Sequence, residues 1–375
     1  MKKGLFLCSE NYSFNDQNIL SIGIAKKIIT QVKAFNDSGV DCQLINLHYA
    51  IHNKIMFFFQ ILFCKNLYIN KISDIDFKFI DFVYIRRFFP LSRSFIFLLR
   101  YIKQHNHNCK IIYEIPTYPY DPEHKGIKGL VILWFDKIFR TKLHLYLDYI
   151  ATYSIDDTIF KVPTIKIMNG VDCATTPVIS AVNYSVSSIR LIAVAQFGLW
   201  HGYDRLICGL HEYYKKNPSQ KVYLDLIGDG DKSVVQEYQA KIVRYKLQKY
   251  ITYHGQLSGD ALTNVFNQAD IAVCSLANHR SLIFLSSELK SREYIARGLP
   301  IISSTKIDIL PANFMYVKYV SEDDAAIDVN QIIEFYARLV KKESRHSQIA
   351  YLRRFAEQNC DMKVVLIPIL TKIFE

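Results

Sequence analysis

The sequence predicts an α/β protein made of two units, each a parallel β-sheet covered by helices. Three observations indicate this fold class. The chain has 375 residues, which is the length of about two ordinary domains. Half of the residues are apolar and only 22% are charged, so there is enough apolar material for two buried cores. Short apolar segments alternate with helical ones along the chain, and this alternation is typical of parallel sheets.

In the first half, apolar runs of strand length alternate with segments of helical periodicity. The predicted strands are 5–8, 42–47, 81–86, 110–115, 149–153 and 164–168. The predicted helices are 21–37, 94–104 and 128–145. Ile24, Ile28 and Phe35 recur at helical spacing in the first helix, and Gly39 lies just past its end as a stop signal.

The amino-acid composition changes between residues 173 and 188. This segment has no acidic or basic side chain and is rich in Ser, Thr and Ala, as a linker often is. Alternation then resumes, with predicted strands at 189–195, 222–227, 250–254, 270–274 and 299–303. The accompanying predicted helices are 202–216, 232–247, 260–267, 287–297, 323–342, 345–358 and 361–373. We therefore expect an N-terminal domain at 1–172, a linker at 173–188, a second domain at 189–345 and C-terminal helices at 346–375.

The composition excludes several classes of protein. The eight cysteines lie far apart and form no C-x-x-C pair, which favours buried, reduced thiols in a reducing compartment over zinc ligands or disulfides. No uncharged apolar run reaches the length of a spanning helix. The net charge of +11 indicates a basic surface that can attract nucleic acid, anionic lipid or phosphorylated small molecules, and charge alone does not decide among them.

Ligands of open parallel sheets bind at the carboxyl ends of the strands, so the strand-to-helix loops hold the candidate site residues. In the first half, Gly23 lies in the first turn of a helix, where an exposed backbone favours an anion; a packing role is the alternative. Glu114 ends a strand and begins the loop EIPTYPYDPE, so we expect its carboxylate to orient sugar hydroxyls or act as a base. A rigid turn with capping acids is the alternative for this loop.

In the second half, the loop AQFGLWHGYDR at 195–205 places aromatic and polar side chains at a helix start. His201 lies where it can hydrogen-bond a phosphate, with a structural role as the alternative. Arg205, one turn into the helix, can reach the same place or pair with Asp204. Gly228 in IGDG lets a flat group such as a nucleobase approach, unless the segment is a plain turn.

Three charged residues crowd the start of the helix predicted at 287–297. Lys290 and Arg292 oppose the helix macrodipole there, and we expect a bound diphosphate to compensate their charge. Glu293 is about one turn from the helix start, where it can accept hydrogen bonds from the vicinal hydroxyls of a ribose. A surface charge cluster is the alternative.

Six segments occur in a characteristic order. They are the Gly23 loop, NGVD at 169–172, WHGYDR at 200–205, GDG at 228–230, QAD at 268–270 and LKSREYIARGLP at 289–300. In this order they resemble the retaining GT-B glycosyltransferases, above all the bacterial ones that build capsular, exopolysaccharide or O-antigen chains. The resemblance implies two Rossmann-like domains whose parallel sheets face each other across a cleft. It also implies a UDP- or GDP-sugar donor held mostly by the second domain, and C-terminal helices that return toward the first.

The resemblance maps the Glu-x7-Glu motif of this family onto Leu285 and Glu293. Glu293 is therefore expected to contact the donor ribose. The carboxylate that usually touches the donor sugar is replaced by Leu285, and Glu288 is near but out of register. The family's basic pair for the diphosphate falls on Gln196 and His201, which is a second departure.

The resemblance implies a retaining glycosyltransferase, a hexosyltransferase, with a glycan or lipid-linked acceptor in bacterial surface polysaccharide synthesis. We expect no permanently bound cofactor and no metal. Helix N-terminal amides with Lys290, Arg292 and His201 are expected to stabilise the leaving diphosphate. The D-x-D tripeptide at 74–76 lies away from the predicted strand ends, and the one at 229–231 reads as a turn into a capped helix.

Two apolar segments with basic flanks suggest a location at a membrane. Residues 55–64 (IMFFFQILFC) lie between two lysines. The second segment, 126–145, combines apolar and basic side chains, namely Trp134, Phe135, Ile138 and Phe139 beside Lys137, Arg140 and Lys142. This pattern suits an anionic leaflet, so we expect a cytoplasmic protein that is peripheral at the inner leaflet of the plasma membrane. Ordinary core helices are the alternative.

Two other classes of function stay open. A catalytically degenerate GT-B protein that assists another transferase is favoured by Leu285 and Gln196, and a test for nucleotide-sugar hydrolysis distinguishes it from an enzyme. A nucleic-acid-binding protein is suggested by the charge and the 14% aromatic residues. The sequence contains no recognised nucleic-acid motif, so we expect no nucleic-acid partner.

Overall fold

The computed structural model describes residues 1–11, 14, 23–49, 62–124, 126–180, 184 and 187–375. The predicted helix start at Ser21, the apolar stretch 55–61 and part of the predicted linker lie outside these residues. The chain divides into two compact units, one formed by residues 1–168 with 365–375 and the other by residues 169–364. This boundary lies a few residues before the predicted one, and of the C-terminal segment only residues 365–375 join the first unit.

The first unit contains a seven-stranded sheet in the order β2-β1-β3-β4-β5-β7-β6. All neighbours are parallel except β6 and β7, which pair antiparallel. The strands are β1 (Lys2–Cys8), β2 (Val40–Asn46), β3 (Phe82–Arg86), β4 (Lys110–Ile115), β5 (Tyr149–Thr152), β6 (Thr158–Ile159) and β7 (Val162–Lys166). The helices between them are α1 (Gly23–Asp37), α2 (Arg93–His105) and α3 (Gly126–Arg140).

Both faces of this first sheet are buried, as expected for a parallel sheet. On one face, the Phe35 ring of α1 lies 5.6 Å from the rings of both Phe82 and Tyr84. On the other face, alternate residues such as Val83 form a core cluster with Phe95 of α2. The period of two along the strands therefore divides each strand between two apolar layers.

The second unit contains a six-stranded parallel sheet in the order β10-β9-β8-β11-β13-β15, and a separate parallel pair, β12 with β14. The strands are β8 (Ser188–Val194), β9 (Lys221–Ile227), β10 (Ile251–Gly255), β11 (Ile271–Val273), β12 (Leu285–Ser286), β13 (Ile301–Ser303), β14 (Lys306–Ile307) and β15 (Val317–Tyr319). The helices are α4 (Tyr203–Tyr214), α5 (Lys232–Arg244), α6 (Gly259–Gln268), α7 (Leu289–Arg297), α8 (Val329–Lys342), α9 (Arg345–Asn359), α10 (Met362–Val365) and α11 (Ile367–Phe374), the last of which belongs to the first unit.

The second sheet reverses its winding next to β8. The chain first adds β9 and β10 on one side of β8, and then returns to add β11 on the other side. The loops that leave the carboxyl ends of β8 and β11 therefore run in opposite directions. Such a reversal opens a crevice at the carboxyl edge of the sheet, and that is where open α/β sheets bind ligands.

Most predicted elements are confirmed, and the differences have local causes. The strand predicted at 110–115 has those bounds, while the helix predicted from 323 begins only at Val329, because Asp328 caps it by accepting a hydrogen bond from the Asn330 N–H at 3.0 Å. Asp231 caps α5 in the same way, as the D-x-D interpretation predicts. All eight cysteines are free thiols. Within the described ranges, no helix combines the length and apolar character needed to cross a bilayer.

Ile369→Ala tests the assignment of α11 to the first unit. The side chain of Ile369 is fully buried, so we expect the free energy of unfolding to fall by about 2–5 kcal/mol. Hydrogen exchange should then accelerate in peptides from residues 1–168. Leu352→Ala, a fully buried residue of α9, is the matched control and should accelerate exchange in residues 187–364. The reverse pattern would show that α11 stabilises the second unit.

Candidate functional site

The loops that follow β8 and β11 are joined at the carboxyl edge of the second sheet. The Leu276 N–H donates to the His201 carbonyl at 2.8 Å, and the Ala277 N–H donates to the Trp200 carbonyl at 3.1 Å. These backbone hydrogen bonds fix the two sides of the crevice relative to each other. The side chains that the two loops contribute are therefore held in a defined arrangement.

His201 lies at the end of the loop after β8 and is buried. Its Nδ1 accepts a hydrogen bond from the Gly198 N–H at 2.9 Å, so the proton of the neutral ring is on Nε2. Burial, reinforced by the charge of Lys290, lowers the pKa of His201 to about 2. At neutral pH the imidazole is thus uncharged. It can donate one hydrogen bond to a phosphate, but it adds no positive charge.

Lys290 lies in the first turn of α7 and reaches into the same region. Its Nζ is 3.2 Å from Oε2 of Glu288 and 3.3 Å from the hydroxyl of Tyr203, whose side chain is fully buried. Two of the three N–H donors of the ammonium are therefore directed at protein oxygens, and no third acceptor lies in reach among the described residues. The ammonium can bind an anion through the remaining donor.

Glu288 immediately precedes α7 and is held from the β11 side. One carboxylate oxygen lies 3.3 Å from the Ser275 N–H, and the other accepts from the Ser275 hydroxyl at 2.8 Å. The Glu288 carboxylate therefore joins the end of β11 to the start of α7. Sequence analysis missed the contact between Glu288 and Ser275, because Glu288 is out of register with the family motif. The sequence signal for this contact is that Ser275 directly follows the strand predicted at 270–274.

Glu293 is on α7 and partly exposed. Its Oε1 accepts from Nη2 of Arg297 at 2.9 Å, one helical turn later. The carboxylate is thus ion-paired within its own helix, with a quarter of the side chain accessible. This exposure leaves room for a further hydrogen bond, and the ribose contact stays a prediction.

Arg292 is not placed to bind a diphosphate, contrary to expectation. Its side chain is fully buried, and all five guanidinium N–H groups have partners within the second unit. The acceptors are the carbonyls of Asn169 and Glu288, the hydroxyls of Ser287 and Ser291, and the carboxylate of Asp308. Arg292 therefore fixes the segment before α7 and is unavailable to a ligand. Because Asp308 already compensates the positive charge of Arg292, that charge is no longer a reason to expect a bound anion.

Arg205 has a structural role as well. Its five N–H groups donate to the carbonyls of Leu276, Ser321 and Ala325, the Ser321 hydroxyl and the Asp323 carboxylate. It connects the loop after β11 to the segment 321–325, so the predicted nucleotide contact is not supported by this geometry. The predicted pairing with Asp204 does not form either, because Asp204 binds Arg280 at 2.9 Å.

Gly228 is required by the packing of two backbones. Its φ is +126°, and an added Cβ would lie 1.9 Å from the carbonyl oxygen of Ala195. Glycine is thus needed here because the loop after β8 crosses closely, which favours the alternative of a structural turn over close approach by a nucleobase. Gln196, in that neighbouring loop, is exposed at the carboxyl edge and supplies no charge.

In the first unit, Glu114 lies at the centre of a buried polar cluster. Its carboxylate accepts from Lys27 at 2.8 Å, Gln31 at 3.0 Å, Tyr84 at 2.6 Å and Arg86 at 3.3 Å. Burial alone would raise its pKa, but the charges of Lys27 and Arg86 lower the pKa of Glu114 to about 2. A fully buried carboxylate with four donors is not placed to act as a general base, so this geometry does not support the predicted role. The cluster instead ties α1 to β3 and β4.

Gly23 begins α1 and is exposed. An added Cβ would meet no described atom within 4 Å, so the described packing does not require glycine at this position. Among the described residues, no group of three or more His, Cys, Asp or Glu side chains is arranged to hold a metal ion. The candidate site combines the Lys290 ammonium and the His201 ring with the carboxylates of Glu288 and Glu293.

No family model matches the chain, and no curated protein matches it. Solved structures do match it over its whole length. A glycosyltransferase from Rickettsia africae ESF-5 aligns with a TM-score of 0.63 at 14% identity, over 99% of this chain and 98% of that chain. Anabaena HepE, solved with UDP and with UDP-glucose, aligns with a TM-score of 0.60 at 12% identity over all of both chains. Sucrose-phosphate synthase from Thermosynechococcus elongatus aligns with a TM-score of 0.62 at 13% identity, over 100% of this chain and 99% of that chain.

These likenesses establish the fold class. The chain has the GT-B fold of glycosyltransferases, with two parallel-sheet α/β domains. At such low identity they show the fold alone.

Arg292→Ala is expected to destabilise the second unit by about 3–5 kcal/mol, because it leaves the Asp308 carboxylate and several carbonyls without their donor. Chemical denaturation followed by circular dichroism measures this loss. Arg354→Ala, an exposed arginine of α9, is the matched control and should change stability by less than about 0.5 kcal/mol. If Arg292→Ala kept wild-type stability and lost only nucleotide affinity, Arg292 would be a ligand-binding residue after all.

Glu114→Gln is expected to cost about 3–5 kcal/mol at neutral pH, since it leaves Lys27 buried without its counter-charge. The ordinary pKa of 4.5 is lowered to about 2 in the folded protein, so this contribution is complete above pH 4.5 and disappears as the pH falls toward 2. Denaturation midpoints at a series of pH values measure the difference from the wild type. Asp157→Asn, whose side chain is fully exposed, is the control. Unchanged stability with an altered pH profile of activity would return Glu114 to the role of a base.

Proposed function

We propose that this protein is a retaining, metal-independent glycosyltransferase, a hexosyltransferase that uses a UDP- or GDP-sugar. Its acceptor is a glycan or lipid-linked glycan of bacterial surface polysaccharide synthesis, in capsule or lipopolysaccharide. The observation that carries the proposal is the convergence of Lys290, His201 and Glu288 at the carboxyl ends of β8 and β11, in a chain with the GT-B fold. Support for the donor class comes from HepE, a structure of the same fold solved with UDP-glucose.

The proposed donor position follows from the chemistry of the crevice. The Lys290 ammonium supplies positive charge for the diphosphate, and the Nε2–H of the neutral His201 supplies a directed hydrogen bond. The first backbone N–H groups of α7 add further donors, because Glu288 precedes the helix without capping it through its side chain. Glu293, the residue expected to meet the ribose, lies about one turn into the same helix.

The reaction asks mainly for stabilisation of the leaving nucleoside diphosphate. Charge builds on its phosphate oxygens as the bond to the sugar breaks, and preoriented donors lower the energy of that state. With Arg292 committed to the fold, Lys290 carries this role as a cation. Retention is proposed to arise from attack on the face that the diphosphate leaves, with the departing phosphate accepting the proton of the acceptor hydroxyl. The location we propose is cytoplasmic, peripheral at the inner leaflet of the plasma membrane.

A second candidate function is that of a catalytically degenerate GT-B protein that assists another transferase. The observation that favours it is the exposed apolar run that ends at Leu285, where the resembled family has a carboxylate for the donor sugar. Gln196 likewise supplies no charge. Such a protein would bind its partner and show no nucleotide-sugar hydrolysis or transfer.

Thermal shift with UDP, GDP, ADP and CMP tests nucleotide binding first. We expect one nucleoside diphosphate to stabilise the protein, and Glu293→Ala to weaken this binding by about 10- to 150-fold, the cost of a charged hydrogen bond. Lys290→Ala should lower turnover of the matching nucleotide-sugar more than it lowers affinity for the free nucleoside, because its charge acts most strongly as the diphosphate departs.

Lys249→Ala and Glu334→Ala, both exposed residues of the second unit, are the matched controls and should leave binding and turnover unchanged. Anomeric analysis of the product by NMR tests retention, and activity in EDTA tests metal independence. Binding without any hydrolysis or transfer would favour the degenerate protein. Wild-type affinity and turnover in both Glu293→Ala and Lys290→Ala would refute the site.

A further inference from the structure

Helix α3 of the first unit has an apolar outer face. Five side chains on this helix are large, apolar and between 37% and 85% exposed, namely Ile127, Leu130, Val131, Trp134 and Ile138. Their spacing of three, four, seven and eleven residues from Ile127 places them on one side of the helix. The opposite side is buried in the first unit through Leu133, Asp136 and Phe139. The helix is therefore apolar both toward the core and toward the solvent.

The exposed charges on α3 itself and on the turn after it are all positive. The exposed charged residues of α3 and the turn after it are Lys128, Lys137 and Lys142. The one acidic residue of the helix, Asp136, is fully buried and accepts from the Tyr120 hydroxyl at 2.6 Å and the Leu91 N–H at 2.9 Å. A carboxylate does lie nearby, that of Asp121, and it is bound by Arg140 and Lys137 from the end of α3.

We propose that this surface, the docking face (Ile127, Leu130, Val131, Trp134 and Ile138), lies in the interface of an anionic lipid bilayer. A helix that presents apolar side chains between lysines, without an exposed acid of its own, lies parallel to the membrane, with its apolar side at the boundary of headgroups and acyl chains. The lysines are then attracted to anionic headgroups. A tryptophan in the middle of the face suits that boundary, because its ring is apolar and its N–H polar.

Charge is the argument for a bilayer over another protein. A water-soluble partner would need an apolar patch ringed by carboxylates to complement this face, whereas an anionic leaflet offers both apolar depth and negative charge over its whole area. The structure also corrects the sequence-based selection of residues. Phe139 is buried and Phe135 half-buried, so only Trp134 and Ile138 of the four apolar residues chosen from the sequence belong to the face. The other members, Ile127, Leu130 and Val131, were not among those four. This inference rests on the membrane location in the proposed function and assigns a surface to it, but it does not depend on the donor site.

Flotation of the full chain with vesicles tests the docking face. We expect binding to phosphatidylcholine vesicles containing phosphatidylglycerol to exceed binding to phosphatidylcholine alone by about tenfold or more, and to fall with added salt. Trp134→Ser combined with Ile138→Ser should remove most of this binding. Both side chains are exposed, so the fold should be kept. Val243→Ser with Tyr351→Ser, which removes two exposed side chains of the second unit, is the matched control and should bind as the wild type does.

The chain has two tryptophans, so tryptophan fluorescence can report whether the docking face enters the bilayer. In a Trp200→Phe protein, Trp134 is the only tryptophan, and its emission should shift to the blue on anionic vesicles. Equal binding to neutral and anionic vesicles, or an unshifted Trp134, would overturn the proposal. Flotation of the double variant at the wild-type level would also overturn it. So would an oligomeric wild type that becomes monomeric in the double variant, because the face would then be a contact between copies of the chain. Nucleotide thermal shift of the double variant should equal that of the wild type, so failure of the donor site is seen separately.

Discussion

The arrangement of the candidate site depends on the reversal of the second sheet between β8 and β11. Because every strand of this sheet is parallel, all carboxyl ends meet at one edge, and because the winding changes direction beside β8, two of the loops at that edge diverge. Backbone hydrogen bonds from Leu276 and Ala277 to the loop after β8 then hold the two sides together. His201 comes from one side and Glu288 from the other. Neither position is defined by its local sequence; both follow from the order of the strands.

Two buried arginines anchor these loops through hydrogen bonds. Arg205 binds the loop after β11 to residues 321–325, and Arg292 binds the segment before α7 to Asn169 and Asp308. A buried guanidinium is tolerated only when its N–H groups are all satisfied, so each arginine dictates the path of several backbone carbonyls. Lys290 and Glu288 are next to Arg292 in the chain. The orientation of Lys290 and Glu288 therefore depends on an arginine whose N–H groups are all directed at protein acceptors.

The sequence was sufficient for most of the strands, although it did not predict β6, β12, β14 and β15. Apolar runs such as 110–115 mark strands because a parallel strand is buried on both faces. It was insufficient for the roles of individual charges. Arg292 was expected to bind a diphosphate because it opposes the dipole of its own helix, but its counter-ion Asp308 lies sixteen residues further on. Glu114 ends a strand as a catalytic carboxylate would, yet its partners Lys27 and Tyr84 are 87 and 30 residues away. Helix and strand positions are local properties, whereas ion pairing is set by the topology.

The pairing of Lys290 with Glu288 has a consequence for how the site can bind an anion. An unpaired ammonium with only 13% of its side chain exposed would be costly, and Glu288 removes that cost while His201 stays neutral. If Lys290 turns toward a diphosphate, the Glu288 carboxylate keeps two donors, the N–H and the hydroxyl of Ser275. The ion pair can therefore exchange partners without leaving a buried charge unsatisfied. In the proposed reaction, the Lys290 ammonium thus leaves Glu288 and pairs with the diphosphate of the substrate. This exchange keeps Glu288 as an anchored carboxylate beside the position at which Leu285 supplies none.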